Sequence, residues 1–259
     1  MKSNLSDVTF IIPVRIDTIY RLENLLTITN MIVDKFDTNI YVREAANNNS
    51  NILQRLLHKS IQYEFVEDKD PVFFRTQHIN QMVSQVKTPY IAIWDADIVI
   101  DKHAVEACME KLRSNECAIA FPYNGICYDV PAIIKTLFFK RRDVRLLLRH
   151  KEKMSFLYDR NLVGGALFVN RTSYIDAGME NENIYGWGND DWDRYVRLTG
   201  LGYSVYRYAK PLFHLSHPRG SNSTYRSSIA SNISTAEYIK NKNSSESELR
   251  EQISGCEIL

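Results

Sequence analysis

Three pairs of residues in this chain carry side chains able to hold a divalent cation or move a proton: Asp95 and Asp97, Asp190 and Asp191, and His214 and His217. The first pair interrupts an apolar run, Ile93-Trp94-Asp95-Ala96-Asp97-Ile98-Val99-Ile100. Residues i and i+2 of an extended segment point the same way, so the two carboxylates are expected to converge. Burying both beside Trp94 without a counter-charge is costly, and a divalent cation is the natural counter-charge. The plainer alternative is a pair of strand-end acids capping Asp101 or the helix after it. Neutral imidazoles ligate manganese- and zinc-class ions, and Pro218 predicts a turn that brings His214 and His217 to one side. Histidines of surface or core without a metal are the alternative there. Asp190 and Asp191 open a predicted helix, whose terminal partial charge keeps a carboxylate ionised, although acids at such positions also serve simply as caps. Ahead of them, Gly186-Trp187-Gly188 offers close backbone approach and an indole face suited to a sugar ring.

These pairs need a scaffold, and the first half of the chain supplies an alternation of β-rich runs and helix-period segments, the pattern of an α/β fold with a parallel sheet covered by helices. Strands are expected at Val8–Val14, Asn39–Arg43 and Ile61–Val66. Helical stripes run through Leu22, Leu25, Leu26, Ile32 and Val33, and through Ile52, Leu53, Leu56 and Leu57. The Asp95–Asp97 strand is flanked by the stripes Ile79, Met82, Val83, Val86 and Val105, Cys108, Met109, Leu112, which makes it central and buried. Its carboxyl end is where ligands bind in open α/β sheets. Later, Trp192, Tyr195, Val196 and Leu198 predict a helix closed by Gly200 or Gly202, with Asp193 and Arg197 paired on its wet face. A strand at Tyr203–Tyr208 leads to the histidines. Beyond Arg219 the Ser- and Asn-rich composition predicts a mobile loop, a modest helix near Ala236–Lys240 and a frayed tail.

The 259 residues carry 32 Lys or Arg against 31 Asp or Glu, so no overall field favours nucleic acid and electrostatic arguments must be local. One stretch is local in that sense: Lys135 to Lys153 holds eight basic residues against two acidic ones, interleaved with Leu137, Phe138, Phe139 and Leu146 to Leu148. It is either the solvated face of an amphipathic helix or a contact for an anionic membrane or a lipid-linked acceptor. Arg15, in Pro13-Val14-Arg15-Ile16-Asp17, and Arg75, after Phe73-Phe74, are either phosphate or base contacts or ordinary surface charges. A G-x-G-x-x-G fingerprint and a P-loop are both missing from the sequence. Cys108, Cys117, Cys127 and Cys256 have no CxxC spacing and read as reduced thiols of a cytosolic protein, with Cys108 in the core. The expectation is a soluble, cytoplasmic protein without signal peptide or membrane span, with peripheral attachment to the inner face of the membrane left open.

Taken in order, Ile11-Ile12-Pro13-Val14-Arg15, Phe74-Arg75, Asp95-Ala96-Asp97, Gly164-Gly165, Gly186-Trp187-Gly188-Asn189-Asp190-Asp191 and His214-Leu215-Ser216-His217 resemble the motif series of GT-A glycosyltransferases. The likeness is nearest to the β-1,4-galactosyltransferase and bacterial galactosyltransferase-related group and runs from about residue 8 to 220. The resemblance implies a GT-A nucleotide-diphospho-sugar transferase fold, a UDP-sugar donor and a manganese ion, with magnesium as the alternative. It implies metal ligation by Asp97 and His217, and by His214 where those enzymes often have methionine. Asp191 resembles the catalytic base. Asp95 would face the ribose or donor sugar, Trp187 and Asp190 would hold acceptor or donor, and Arg15 and Arg75 would contact uridine and diphosphate. Pro13, Asp17, Gly165 and Gly188 complete the implied substrate surface. Asn189 in place of a usual glycine, Asp190 in place of a usual glutamate and Trp192 where the animal enzymes often have an acid are departures that bear on the acceptor.

The expected function is therefore inverting transfer of a hexose, galactose or an N-acetylhexosamine, from a UDP-sugar to a saccharide or lipid-linked saccharide acceptor in bacterial surface polysaccharide or glycoconjugate synthesis. Nucleic acid is not an expected partner. The expected organisation is a GT-A domain over 1–220, with a nucleotide-binding half to about 115 and an acceptor half from about 116, then a loop and helical tail over 221–259. A sugar nucleotidyltransferase and a non-catalytic sugar-binding module are the alternatives. The former expects a glycine-rich N-terminal loop, and the latter has no use for a base at Asp191.

Overall fold

The alternation expected over the first half is present in the computed structural model, which describes residues 1–158 and 161–255; Cys256 lies outside them. In chain order the elements are β1 (Ser3–Val14), α1 (Ile19–Lys35), β2 (Phe36–Ala46), α2 (Ile52–Leu56), β3 (Gln62–Glu67), α3 (Arg75–Gln85), β4 (Tyr90–Trp94), β5 (Ile98–Val99) and α4 (Lys102–Arg113). They continue with β6 (Ile119–Phe121), β7 (Cys127–Val130), α5 (Ala132–Arg141), α6 (Val144–His150), β8 (Ser155–Phe156), β9 (Ala166–Asn170) and α7 (Arg171–Asp176). The last are α8 (Asp190–Gly200), β10 (Val205–Arg207), β11 (Leu212–Leu215), α9 (Ser228–Asn243) and α10 (Glu246–Gly255).

A seven-stranded sheet runs β10-β6-β9-β4-β1-β2-β3. Its pairs are parallel except those made by β9, which is antiparallel to both β4 and β6. β4 sits in the middle, as the apolar stripes on both sides of it in sequence require, and Ile91, Ala92 and Ile93 are buried. A second, four-stranded sheet, β5-β11-β7-β8, starts where β4 stops. Cys108, Cys117 and Cys127 are free thiols, all buried. Among the described residues no helix is long and apolar enough to cross a membrane.

Four local expectations change and one alternative falls away. Asp95 to Asp97 is a turn, with Ile98 N–H donating to the Asp95 carbonyl at 3.3 Å, and not one extended segment. Asp101 caps α4 with its own side chain, accepting from His103 N–H at 3.0 Å, so the pair before it is free for other work. His214 lies inside β11, not after a strand. Asp193 and Arg197 do pair, at 2.8 Å, but on the buried face of α8. Asn241 of α9 donates to Asp193 at 2.6 Å and Arg197 donates to the Met179 carbonyl at 2.5 Å, so a satisfied polar network replaces the apolar contact that helical periodicity suggested. Finally, α9 is longer than Ala236–Lys240 and packs on α8 through polar side chains, Ser234 and Asn241.

Candidate active site

The ladder of the second sheet brings three donors together. β5 pairs with β11 so that Ile98 faces His214, and β7 pairs with the other edge of β11 so that Asp129 faces His214. Leu215 N–H donates to the Asp97 carbonyl at 2.8 Å, which fixes the turn against the histidine strand. Asp97 Oδ2 lies 3.2 Å from His217 Nε2 and 3.6 Å from His214 Nε2. One donor atom from each of the three residues lies within 4.8 Å of the other two. Nδ1 of His214 is 2.8 Å from Asp129 Oδ1, and Nδ1 of His217 is 2.9 Å from the Pro218 carbonyl. With an ion bound, each imidazole would keep its proton on Nδ1, donated to that oxygen, and offer the ion the Nε2 that faces Asp97. One carboxylate oxygen and two such nitrogens suit a manganese- or zinc-class cation, so these residues fit the ion.

The field at this cluster is negative. Burial alone would raise the Asp97 carboxyl, but the two imidazoles outweigh it and hold it well below the usual carboxylate range. Burial disfavours the His214 imidazolium, yet Asp97 and Asp129 carry its pKa up to about 9. Groups that draw a proton this strongly also draw a metal ion. Asp129 braces the His214 ring and is not one of the three donors, so if they hold the cation Asp129→Ala is expected to weaken Mn2+ binding by roughly 10–100-fold. Direct titration with Mn2+ checks this, and an unchanged affinity would remove Asp129 from the arrangement.

A second group of acids faces the first across the cleft. Arg75, at the start of α3, lies 2.8 Å from Asp95, 3.0 Å from Asp190 and 3.7 Å from Asp191. Arg194, one turn along α8, reaches Asp191 at 2.5 Å and the buried Glu180 at 2.7 Å, and Tyr174 donates to Glu180 at 2.5 Å. Burial would raise both α8 acids. Arg194 and Arg75 outweigh it at Asp191 and keep that carboxyl below its usual range. At Asp190 burial and the charge of Asp191 win over Arg75 and push the pKa up to about 7. The pair thus divides into an ionised carboxylate and a carboxyl that keeps its proton in mildly acidic water. A carboxyl raised on folding makes the native state bind more protons than the unfolded one, so its contribution falls as pH climbs from about 3.8 through about 7. Asp190→Asn is expected to flatten that fall, measured as urea unfolding against pH; an unaltered slope would contradict the division.

Glycines allow the close packing. A Cβ at Gly164 would overlap the Asp191 carboxylate, and one at Gly188 would overlap the Ser234 hydroxyl that accepts from Asn189 N–H at 2.8 Å. Both groups open into one cleft of about 370 Å³, whose walls include Pro13, Arg15, Gly165, Trp187 and Gly188. Trp187 stands half-exposed, edge-on to Tyr225 at 5.0 Å. Asp17, by contrast, turns to Arg21 at 3.0 Å, and it is Arg21 that reaches the cleft. Arg15 lines the cleft, but its side chain is held by the protein. Its guanidinium donates to the carbonyls of Ala45 (3.1 Å) and Asp70 (2.8 Å) and to the Asp68 carboxylate (2.5 Å), bracing the loop after β3. Arg75 is a counter-ion to carboxylates, a role its sequence context did not suggest. Sequence reasoning passed over Asp129, Arg194, Arg219 and Tyr225. Arg194 is the one with a signal, standing at i+3 from Asp191 on a predicted helix.

Residues 150–219, which hold both α8 acids and both histidines, match the family described as the N-terminal domain of galactosyltransferase. No curated protein sequence matches the chain. Among solved structures, the catalytic domain of Drosophila β1,4-galactosyltransferase 7, in complex with xylobiose, is similar at 17% identity and TM-score 0.52, covering 94% of this chain and 82% of that one. The mannosyltransferase PcManGT of Pyrobaculum calidifontis, in complex with GDP-Man and Mn2+, is similar at 16% identity and TM-score 0.51, covering 83% of this chain. The chain has the GT-A fold. It spans only 58% of the length of the mannosyltransferase. Within the GT-A fold the cleft described above lies at the carboxyl end of the central strand β4, where α/β sheets place their ligands. By its motifs and the family match, this GT-A chain resembles galactosyltransferases.

Proposed function

We propose that the protein is a metal-dependent glycosyltransferase that moves a hexose, galactose or an N-acetylhexosamine, from a UDP-sugar to a saccharide acceptor with inversion at C1. One observation carries this reading: a donor triad fit for a divalent cation and a carboxylate kept ionised by two arginines open into the same cleft. The Mn2+ and GDP-Man of the mannosyltransferase structure and the xylobiose of the galactosyltransferase structure support the same classes of cofactor, donor and acceptor.

Asp97, His214 and His217 would hold the cation, which supplies charge stabilisation for the nucleoside diphosphate as it leaves. Asp191 takes the proton of the acceptor hydroxyl while that oxygen bonds to C1 and the bond from C1 to the diphosphate oxygen breaks. Arg194 and Arg75 keep Asp191 ionised and aimed into the cleft. Trp187 offers its ring to a sugar face, with Gly188 and Asp190 beside it, and Asp95 and Gly165 line the donor side. Pro13 and Arg15 form the wall for the nucleoside. Since the guanidiniums of Arg15 and Arg75 are engaged by the protein itself, Arg219, exposed on the cleft rim two residues after His217, takes the diphosphate contact. Bacterial surface polysaccharide or glycoconjugate synthesis is the setting this chemistry serves.

A sugar nucleotidyltransferase is disfavoured because Pro13-Val14-Arg15, not a glycine-rich loop, follows β1. A pure binding module is disfavoured by the buried Glu180–Arg194 support behind Asp191. Incubation with Mn2+ and a panel of UDP-sugars, read as slow release of UDP, tests the proposal and identifies the donor. Release of UDP from no member of the panel would sink it.

A further inference from the structure

The basic stretch is not used by the cleft, and the structure divides it. Lys135 turns inward, donating to the Ser216 carbonyl at 2.5 Å, between the two histidines. The rest faces outward. On α5, Ile133 is 80% exposed and Leu137 42% exposed, one turn apart on the same side, and exposed Lys140 and Arg141 continue that side into the next turn. On α6, Arg145 and Arg149 stand exposed one turn apart while Val144, Leu146 and Leu147 anchor the opposite side in the core. The nearby acids are few: Asp143 pairs with Arg145 at 3.0 Å, and Asp34 and Glu152 come within 3.9 Å of Arg142 and Lys151.

We infer that the outer face of α5 and α6 docks on an anionic lipid bilayer. Residues 135–153 carry a net +6 in a chain whose total is +1, which leaves −5 on the remainder. A molecule so divided is drawn to an anionic surface by one side and repelled on the others, so it lands in one orientation. Ile133 and Leu137, unpartnered among the cations, are the apolar element that an interfacial helix buries at the headgroup boundary, and a nucleic acid would have no use for them. Through Lys135, α5 is also the wall behind the histidine segment, so docking brings the cleft close to the headgroups. An acceptor saccharide carried on an anionic lipid is the class this placement suits. That acceptor class rests on the transferase reading, whereas bilayer binding itself does not.

Sedimentation of the full chain with vesicles of phosphatidylcholine, with and without phosphatidylglycerol, tests the inference. The protein is expected to sediment with the anionic vesicles alone, and less so as salt is raised. Ile133→Glu with Leu137→Glu, and separately Arg141→Glu with Arg149→Glu, are each expected to lower vesicle affinity by roughly tenfold or more, with circular dichroism unchanged. No binding to anionic vesicles, equal binding to phosphatidylcholine alone, or binding that survives the Ile133 and Leu137 changes would each overturn it. UDP release from free UDP-sugars needs no vesicle, so failure here leaves that assay untouched.

Discussion

Asp191→Asn is expected to lower transfer by about 10²–10⁴-fold, the usual contribution of a positioned base, while leaving UDP-sugar binding within a few-fold of the original protein. The substitution keeps the shape of the side chain, so Gly164 still accommodates it, and Arg194 retains Glu180 as its partner, so the fold should hold. Turnover and binding are measured separately, the first by UDP release in the presence of acceptor and the second by calorimetry. Equal loss of both would mean that Asp191 binds substrate, and would move the base elsewhere.

Asp97→Ala should have an effect of similar size on a different quantity. The side chain supplies the one carboxylate of the donor triad and is the partner of both Nε2 atoms. Its removal leaves two imidazoles without the charge that organises them, and Mn2+ binding is expected to fall by at least ~100-fold, taking with it the metal-dependent part of UDP affinity. A chelator applied to the original protein should reproduce the loss for UDP. If Asp97→Ala bound Mn2+ as before, the triad would not be the metal site.

Much of this arrangement was legible in the sequence because it rests on apolar periodicity and on residue types rare outside functional sites. The central place of β4 and the helices flanking it follow from the periodicity, and the meeting of Asp97 with both histidines was implied by the resemblance to the GT-A motif series. The turn at Asp95–Asp97 was not legible, since alternation in a short apolar run reads as one strand whether or not the chain bends within it. Asp129 depends on the register between β7 and β11, which no local pattern reports. The buried side of α8 was not legible because it is polar, and the extent of α9 because the side chains it buries toward α8 are Ser234 and Asn241, residues that by composition suggest a loop. Arg15 and Arg75 show how little a lone arginine says of its partner, since the protein's own carboxylates and carbonyls claimed both.

The bend at Asp95–Asp97 joins the two sheets, β4 belonging to one and β5 to the other. Asp95 N–H donates to the Gly165 carbonyl at 2.9 Å on one side, and the Asp97 carbonyl receives Leu215 N–H on the other. Three consecutive residues therefore act as a covalent ruler between the wall of Arg75 and the α8 acids and the wall of Asp97 and the two histidines. The distance between them is set by bond lengths and two backbone anchors, so in the proposed transferase a change on the surrounding rim would leave the two walls in register.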